Sequence, residues 1–135
     1  MTQEKRKFED WLDYARKAKR VALLAHISPD GDTLGSTLAL RLAFLAMGKQ
    51  VDVICDGDVP DNLKFLTGSE SILHPEDVNG SDYDTAIAVD VSDRSLLGKS
   101  ETVFDAAGIR MVIDHHATNP AYGQVNFIRG GESAC

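Results

Sequence analysis

The sequence predicts an α/β fold, a Rossmann-like parallel sheet of about five strands with helices on both faces. Two observations carry this. Short, mostly apolar runs (VALLA, VDVIC, TAIAV, IRMVI) recur along the chain, as strands buried on both faces require. Helical patterns lie between them, so the strands run parallel and are joined by right-handed crossovers.

The elements follow in order. Phe8, Trp11, Leu12, Ala15 and Ala18 recur at helical spacing, so the first twenty residues read as an amphipathic helix. Residues 21–25 form the first strand and residues 26–33 a polar, glycine-bearing loop. A helix over 34–47 is stopped by Gly48, with Phe44 and Met47 in the core. The second strand spans 51–55, followed by a loop at 56–61 and a short helix at 62–66. The third strand spans 85–89 and the fourth 109–113. Between them a helix over 101–107 is closed by Gly108, and a weaker fifth strand lies at 124–128. His74, beside Pro75, reads as an exposed loop residue.

At 135 residues the chain suits one domain able to bury its own core. No apolar run approaches the ~20 residues of a membrane span and no secretory signal opens the chain, so a cytoplasmic protein with no membrane partner is expected. A formal net charge of -7 argues against a passive nucleic-acid coat. It leaves room for an enzyme acting on phosphates, provided that bound cations reverse the sign locally. Cys55 and Cys135 suggest neither a disulfide framework nor a zinc knuckle, and Cys55 reads as core.

The residues after each strand are more informative. The first strand leads into His26, Asp30 and Asp32, the second into Asp56, the third into Asp90, and the fourth into Asp114, His115 and His116. Ligands bind at the carboxyl ends of strands in open parallel sheets, so these residues converge on one rim. Aspartate is a common turn former, and one such ending means little; four are hard to dismiss. Carboxylates crowded together repel one another and need a cation. Imidazole and carboxylate without thiolate suit Mn²⁺, with Mg²⁺ as the second choice. The loop before the 34–47 helix offers a phosphate seat near Gly35 and Ser36. Its plainer reading is a strand-to-helix turn capped by Asp32 or Thr33.

These residues carry a family resemblance. HISPDGDTLGS resembles the first motif of the DHH phosphoesterases, VDVSD the second and VIDHHATN the third. DGDVPDNLKFL and AYGQVNFI are similar to connecting segments of the nanoRNase and pAp-phosphatase branch. The likeness runs from about Lys19 to the end. It implies that His26 and Asp30 hold one metal and Asp32 and His115 the other, with Asp90 bridging. It makes His116 the group facing the scissile phosphate and Asp114 its orienting partner. Arg94 and Asn119 become weaker candidates for substrate contact.

The resemblance therefore implies a manganese-dependent hydrolase that cleaves short oligoribonucleotides or 3′-phosphoadenosine 5′-phosphate by two-metal activation of water, as an exonuclease or phosphatase. A cyclic-dinucleotide phosphodiesterase or exopolyphosphatase is the alternative within the family, and a non-catalytic nucleotide- or metal-binding module the alternative outside it. A homodimer is compatible with it. Two departures stand out. Leu96 occupies a position where relatives often carry arginine, which leaves Arg94 to substitute. The family also continues past GGESAC, so residues 1–135 are expected to be one domain cut short before a fourth motif and a second, substrate-gripping domain.

Overall fold

The computed structural model describes residues 2–135, and Met1, included in the expected first helix, lies outside them. Five parallel strands form one sheet: β1 (Arg20–Leu24), β2 (Gln50–Ile54), β3 (Thr85–Val89), β4 (Ile109–Asp114) and β5 (Val125–Ile128), in the order β2-β1-β3-β4-β5. Helices α1 (Gln3–Lys17), α2 (Gly31–Ala46) and α3 (Glu101–Ala106) cover it. The fold is the expected α/β sandwich, with helices on both faces.

Continuous apolar strands arise because both faces are covered. Val21 and Leu23 point into a core shared with Trp11, Leu38, Phe44 and Ile87, beneath α1 and α2. Ala22 and Leu24 point the other way, into a core built on Val103 and Phe104 of α3. The connection after β1 thus leaves toward one face and that after β3 toward the other, although β1 and β3 are neighbours. Strands that part in this way open a crevice at their carboxyl ends, the usual ligand site of such sheets.

Several boundaries differ from the sequence reading. Helix α2 starts at Gly31 because the Asp30 side chain, not Asp32 or Thr33, caps it by accepting from the Thr33 amide at 2.9 Å. The expected 62–66 helix is a 3₁₀ turn, Asp61–Leu63, with Phe65 exposed beyond it. Before α3 runs an unexpected 3₁₀ segment, Arg94–Ser100. Met47 is 53% exposed, not core, since it caps the end of α2 and points past the sheet. His74 is half-buried and lies 3.5 Å from Asp58. Cys55 is buried, as expected.

Helix α1 is anchored by Trp11, which is 2% exposed and donates its indole N–H to the Val112 carbonyl of β4 at 3.1 Å. Phe8 adds a tilted ring contact to Phe127 of β5, with centroids 4.9 Å apart. Trp11→Phe removes the donor and part of the ring while keeping the apolar character. It should destabilise the fold by about 1–3 kcal/mol in urea unfolding followed by circular dichroism. An unchanged midpoint would show that α1 does not depend on this anchor.

Candidate metal centre

The crevice between β1 and β3 gathers most of the residues singled out from the sequence. His26 and Asp30 follow β1, Asp90 follows β3, and Asp114, His115 and His116 close β4. Asp32 enters from the first turn of α2. Thr33 fixes that turn against the sheet by donating its hydroxyl to the Val89 carbonyl at 2.9 Å. The cap and the strand end are therefore tied together immediately beside Asp90.

Asp90 is the centre of the cluster. Its residue is 3% exposed and its φ is 63°, a left-handed conformation unusual for any residue but glycine and tolerated by Asp and Asn. Such a backbone at a strand end aims the side chain where extended geometry would not. Its Oδ1 lies 2.9 Å from His115 Nε2 yet outside hydrogen-bonding alignment, and it is a buried oxygen without a partner. Burial, followed by repulsion from Asp32, pushes the Asp90 carboxyl from 3.8 up to about 6. A buried carboxylate so placed needs a positive partner.

The histidines are oriented to supply ligand atoms. His26 Nδ1 is held by the Ile27 carbonyl at 2.6 Å, His115 Nδ1 by the Glu132 carbonyl at 3.0 Å, and His116 Nδ1 by Asp114 Oδ1 at 2.7 Å. We assign the proton to Nδ1 in each case because the partner is an acceptor, which leaves Nε2 as the free atom. His26 Nε2 then lies 3.7 Å from Asp30 Oδ1, and His115 Nε2 lies 3.1 Å from Asp32 Oδ2. The hydrogen bond to the Glu132 carbonyl, aided by Asp90 and Asp32, raises the His115 pKa.

Two overlapping ligand groups result, both containing Asp90. His26, Asp30 and Asp90 offer atoms within 4.8 Å of one another, as do Asp90, Asp114, His115 and His116. In the second group Asp114 is already committed, because its Oδ1 holds His116 and its Oδ2 accepts from Asn119 at 2.8 Å. Asp32, next to His115, is the better carboxylate for that group. Its oxygens also take the Cys135 amide at 3.0 and 3.1 Å and the Ser36 hydroxyl at 3.2 Å. The donor set of carboxylate and imidazole suits a hard or borderline divalent cation.

Four residues expected to touch substrate lie elsewhere or are engaged. Arg94 bonds Glu101 at 2.8 Å and also Asp105, bracing α3 outside the crevice. Asn119 donates to Asp114 and to the Val91 carbonyl, and accepts from the Ala121 amide, so it braces Asp114. Gly35 and Ser36 lie within α2 and line a separate groove with Ala39 and Ala43. Helical bonding begins with the Leu34 amide on the Asp30 carbonyl, so amides free for an anion come earlier, at Gly31 and Asp32. The sequence reading did not single out Ile27, Ser28 and Ser92, which line the crevice. Their one signal was membership in the first and second motifs.

With this geometry established, comparison with known proteins is direct. Residues 20–135 match the DHH family, N-terminal domain. The chain belongs to the DHH family. A bifunctional oligoribonuclease and PAP phosphatase NrnA from Thermus thermophilus is 30% identical over 114 residues, covering 84% of this chain and 33% of that protein. The crystal structure of an exopolyphosphatase-related protein from Bacteroides fragilis superposes with a TM-score of 0.88 at 23% identity, covering 99% of this chain and 42% of that one. That likeness establishes the fold. The chain thus spans less than half the length of either.

The raised pKa of Asp90 has a thermodynamic consequence in metal-free protein. An acid whose folded pKa lies above its unfolded value is destabilising once ionised: the cost is absent below 3.8, grows as pH rises, and is complete above about 6. At pH 8 in chelator, Asp90→Asn should therefore raise stability by up to about 3 kcal/mol, and asparagine also tolerates the positive φ. Near pH 3.5 the gain should vanish. Saturating Mn²⁺ should invert the order, raising the melting temperature of the wild type alone. Equal melting of both proteins in chelator at pH 8 would contradict this account of Asp90.

Proposed function

We propose that the protein is a divalent-cation-dependent phosphoesterase that hydrolyses short oligoribonucleotides or 3′-phosphoadenosine 5′-phosphate, with manganese as the favoured ion and two ions per site. One observation carries the proposal. The buried, unpartnered oxygen of Asp90 stands between histidine and aspartate ligands on both of its sides. The choice of substrate is supported by the NrnA relative, whose name carries these two activities. No helix is long and apolar enough to cross a membrane among the described residues, in keeping with a cytoplasmic enzyme on small nucleotidic substrates.

In this reading His26, Asp30 and Asp90 hold one cation, and Asp32, Asp90 and His115 hold the other. When bound, such cations would supply a water activated near neutral pH and positive charge against the phosphoryl oxygens. The protein's own groups do the rest. Asp90, rigid at its strand end, keeps both ligand sets in register. The Nδ1 anchors on His26 and His115 hold their Nε2 atoms in place. His116, with its Nδ1 proton committed to Asp114, presents Nε2 to the crevice; once that nitrogen has also taken up a proton from solvent, the imidazolium gives it to the leaving ester oxygen and returns to the neutral ring. Asp114 keeps that ring oriented, and Asn119 keeps Asp114 in place. Contacts made by the remaining length of a whole relative would add substrate positioning.

The test is hydrolysis of a ribonucleotide trimer and of 3′-phosphoadenosine 5′-phosphate with excess Mn²⁺, in parallel with Mn²⁺ titration by electron spin resonance. His116→Gln should lower kcat by about 10²–10³-fold while leaving manganese affinity within a few-fold. Asp90→Ala should abolish both binding and turnover. Full activity in His116→Gln would remove its proton-transfer role. Tight manganese binding with no turnover of either substrate would favour a binding module.

A further inference from the structure

The crevice that holds His26, Asp30, Asp90 and His116 has a volume of about 340 Å³. Ile27 and Leu96 are its apolar lining residues, and Ser28 and Ser92 add hydroxyls. No lysine or arginine lines it. We propose that Ile27 and Leu96 form a specificity-determining wall that seats the ring-bearing organic part of a phosphate ester and disfavours a second phosphate. This rests on the phosphoesterase reading and names the group that lies next to the phosphate being cleaved.

The wall is held in place by its backbone. The Ile27 amide donates to the Leu96 carbonyl at 2.7 Å, so the two side chains rise from hydrogen-bonded neighbours. Below them Asp56 accepts from the Lys99 amide at 2.8 Å, clasping the loop after β2 to the turn after β3. Gly98 makes this clasp possible. Its φ is 58°, and a Cβ there would stand 2.5 Å from Asp56 Oδ2 and 2.7 Å from Ile27 Cγ2. Three loops from three strands thus converge on one rigid apolar surface, and little ordering is left for a ligand to impose.

Charge and size decide what this surface accepts. A purine or ribose laid on Ile27 and Leu96 gains from burial in proportion to the apolar area covered. A second phosphate laid on the same apolar side chains would be desolvated with no lysine or arginine among the described lining residues to pair with it, which is costly. Arg94, two residues before Leu96, is already paired with Glu101 and Asp105. The cleft is near the lower end of the ~300–1,000 Å³ typical of ligand pockets, room for one nucleotide-sized group. A nucleotide ester fits these features better than a polyphosphate chain does.

The test measures binding to the whole chain with saturating Mg²⁺, by amide chemical shifts, for adenosine 5′-monophosphate, methyl phosphate and pyrophosphate. Wild type should bind the nucleotide about tenfold more tightly than methyl phosphate, equivalent to about 1.4 kcal/mol, and no less tightly than pyrophosphate. Leu96→Gln, similar in volume but polar, should bring the first two ligands within about threefold of each other. Ile27→Thr should do likewise, which keeps the test valid should one variant unfold. Leu96→Arg should tighten pyrophosphate by about tenfold. Tighter binding of pyrophosphate than of the nucleotide by wild type would overturn the proposal, as would an unchanged ratio in Leu96→Gln and Ile27→Thr. Methyl phosphate binding without preference for the nucleotide would sink the wall and spare the phosphoesterase reading. If no ligand binds, both fall.

Discussion

Asp90 carries an ionisable group into a place where the rest of the chain has removed its water. The strand before it is buried on both faces, its backbone turns left-handed at the carboxylate, and Asp32 adds a second negative charge nearby. Left alone, that arrangement costs stability, as the upward shift of its pKa records. A divalent cation would convert the same crowding into a binding site, with each repelling carboxylate available as a ligand. The neighbouring architecture makes sense as support for this one conflict of charge. Thr33 ties α2 to the end of β3, and carbonyls or a carboxylate hold the Nδ1 atoms of His26, His115 and His116.

The sheet order explains why the conflict arises at this point. Neighbouring β1 and β3 send their connections to opposite faces, and the crevice between them receives the residues that come after both. β4, next to β3, adds the Asp114–His116 pair from the far side. Residues distant in the chain meet here for topological reasons, while Arg94, close to Asp90 in sequence, is carried out of the crevice by the 3₁₀ segment that it opens. The same segment returns Leu96 to the crevice wall. Two residues apart, one becomes a surface brace and the other part of the crevice wall.

The sheet and the acidic cluster were legible in the sequence because they rest on local signals. Apolar runs marked the strands, and polar residues after each run marked the rim. The features that stayed hidden depend on which partner each side chain takes once the chain is folded. The sequence reads Asp32 or Thr33 as the cap of α2, and Asp30 takes that place by accepting from the Thr33 amide. The pairing of Arg94 requires Glu101 and Asp105 to come round on a later helix. Asn119 looks free until Asp114 Oδ2 and the Val91 carbonyl take its protons. Gly35 and Ser36 stand at the start of the helix expected over 34–47, whereas α2 begins three residues earlier and carries them past its first turn. The left-handed turn at Asp90 left no mark in the sequence, since aspartate occupies both ordinary and strained turns.

The central claim is that the crevice is a cation site organised around Asp90. The most direct test is to grow crystals in Mn²⁺ and collect anomalous diffraction at the manganese edge. The account predicts two peaks in the crevice, both in contact with Asp90, one also touching His26 and Asp30 and the other His115 and Asp32. A map with no peak at Asp90, or with manganese held only by exposed carboxylates elsewhere, would contradict it.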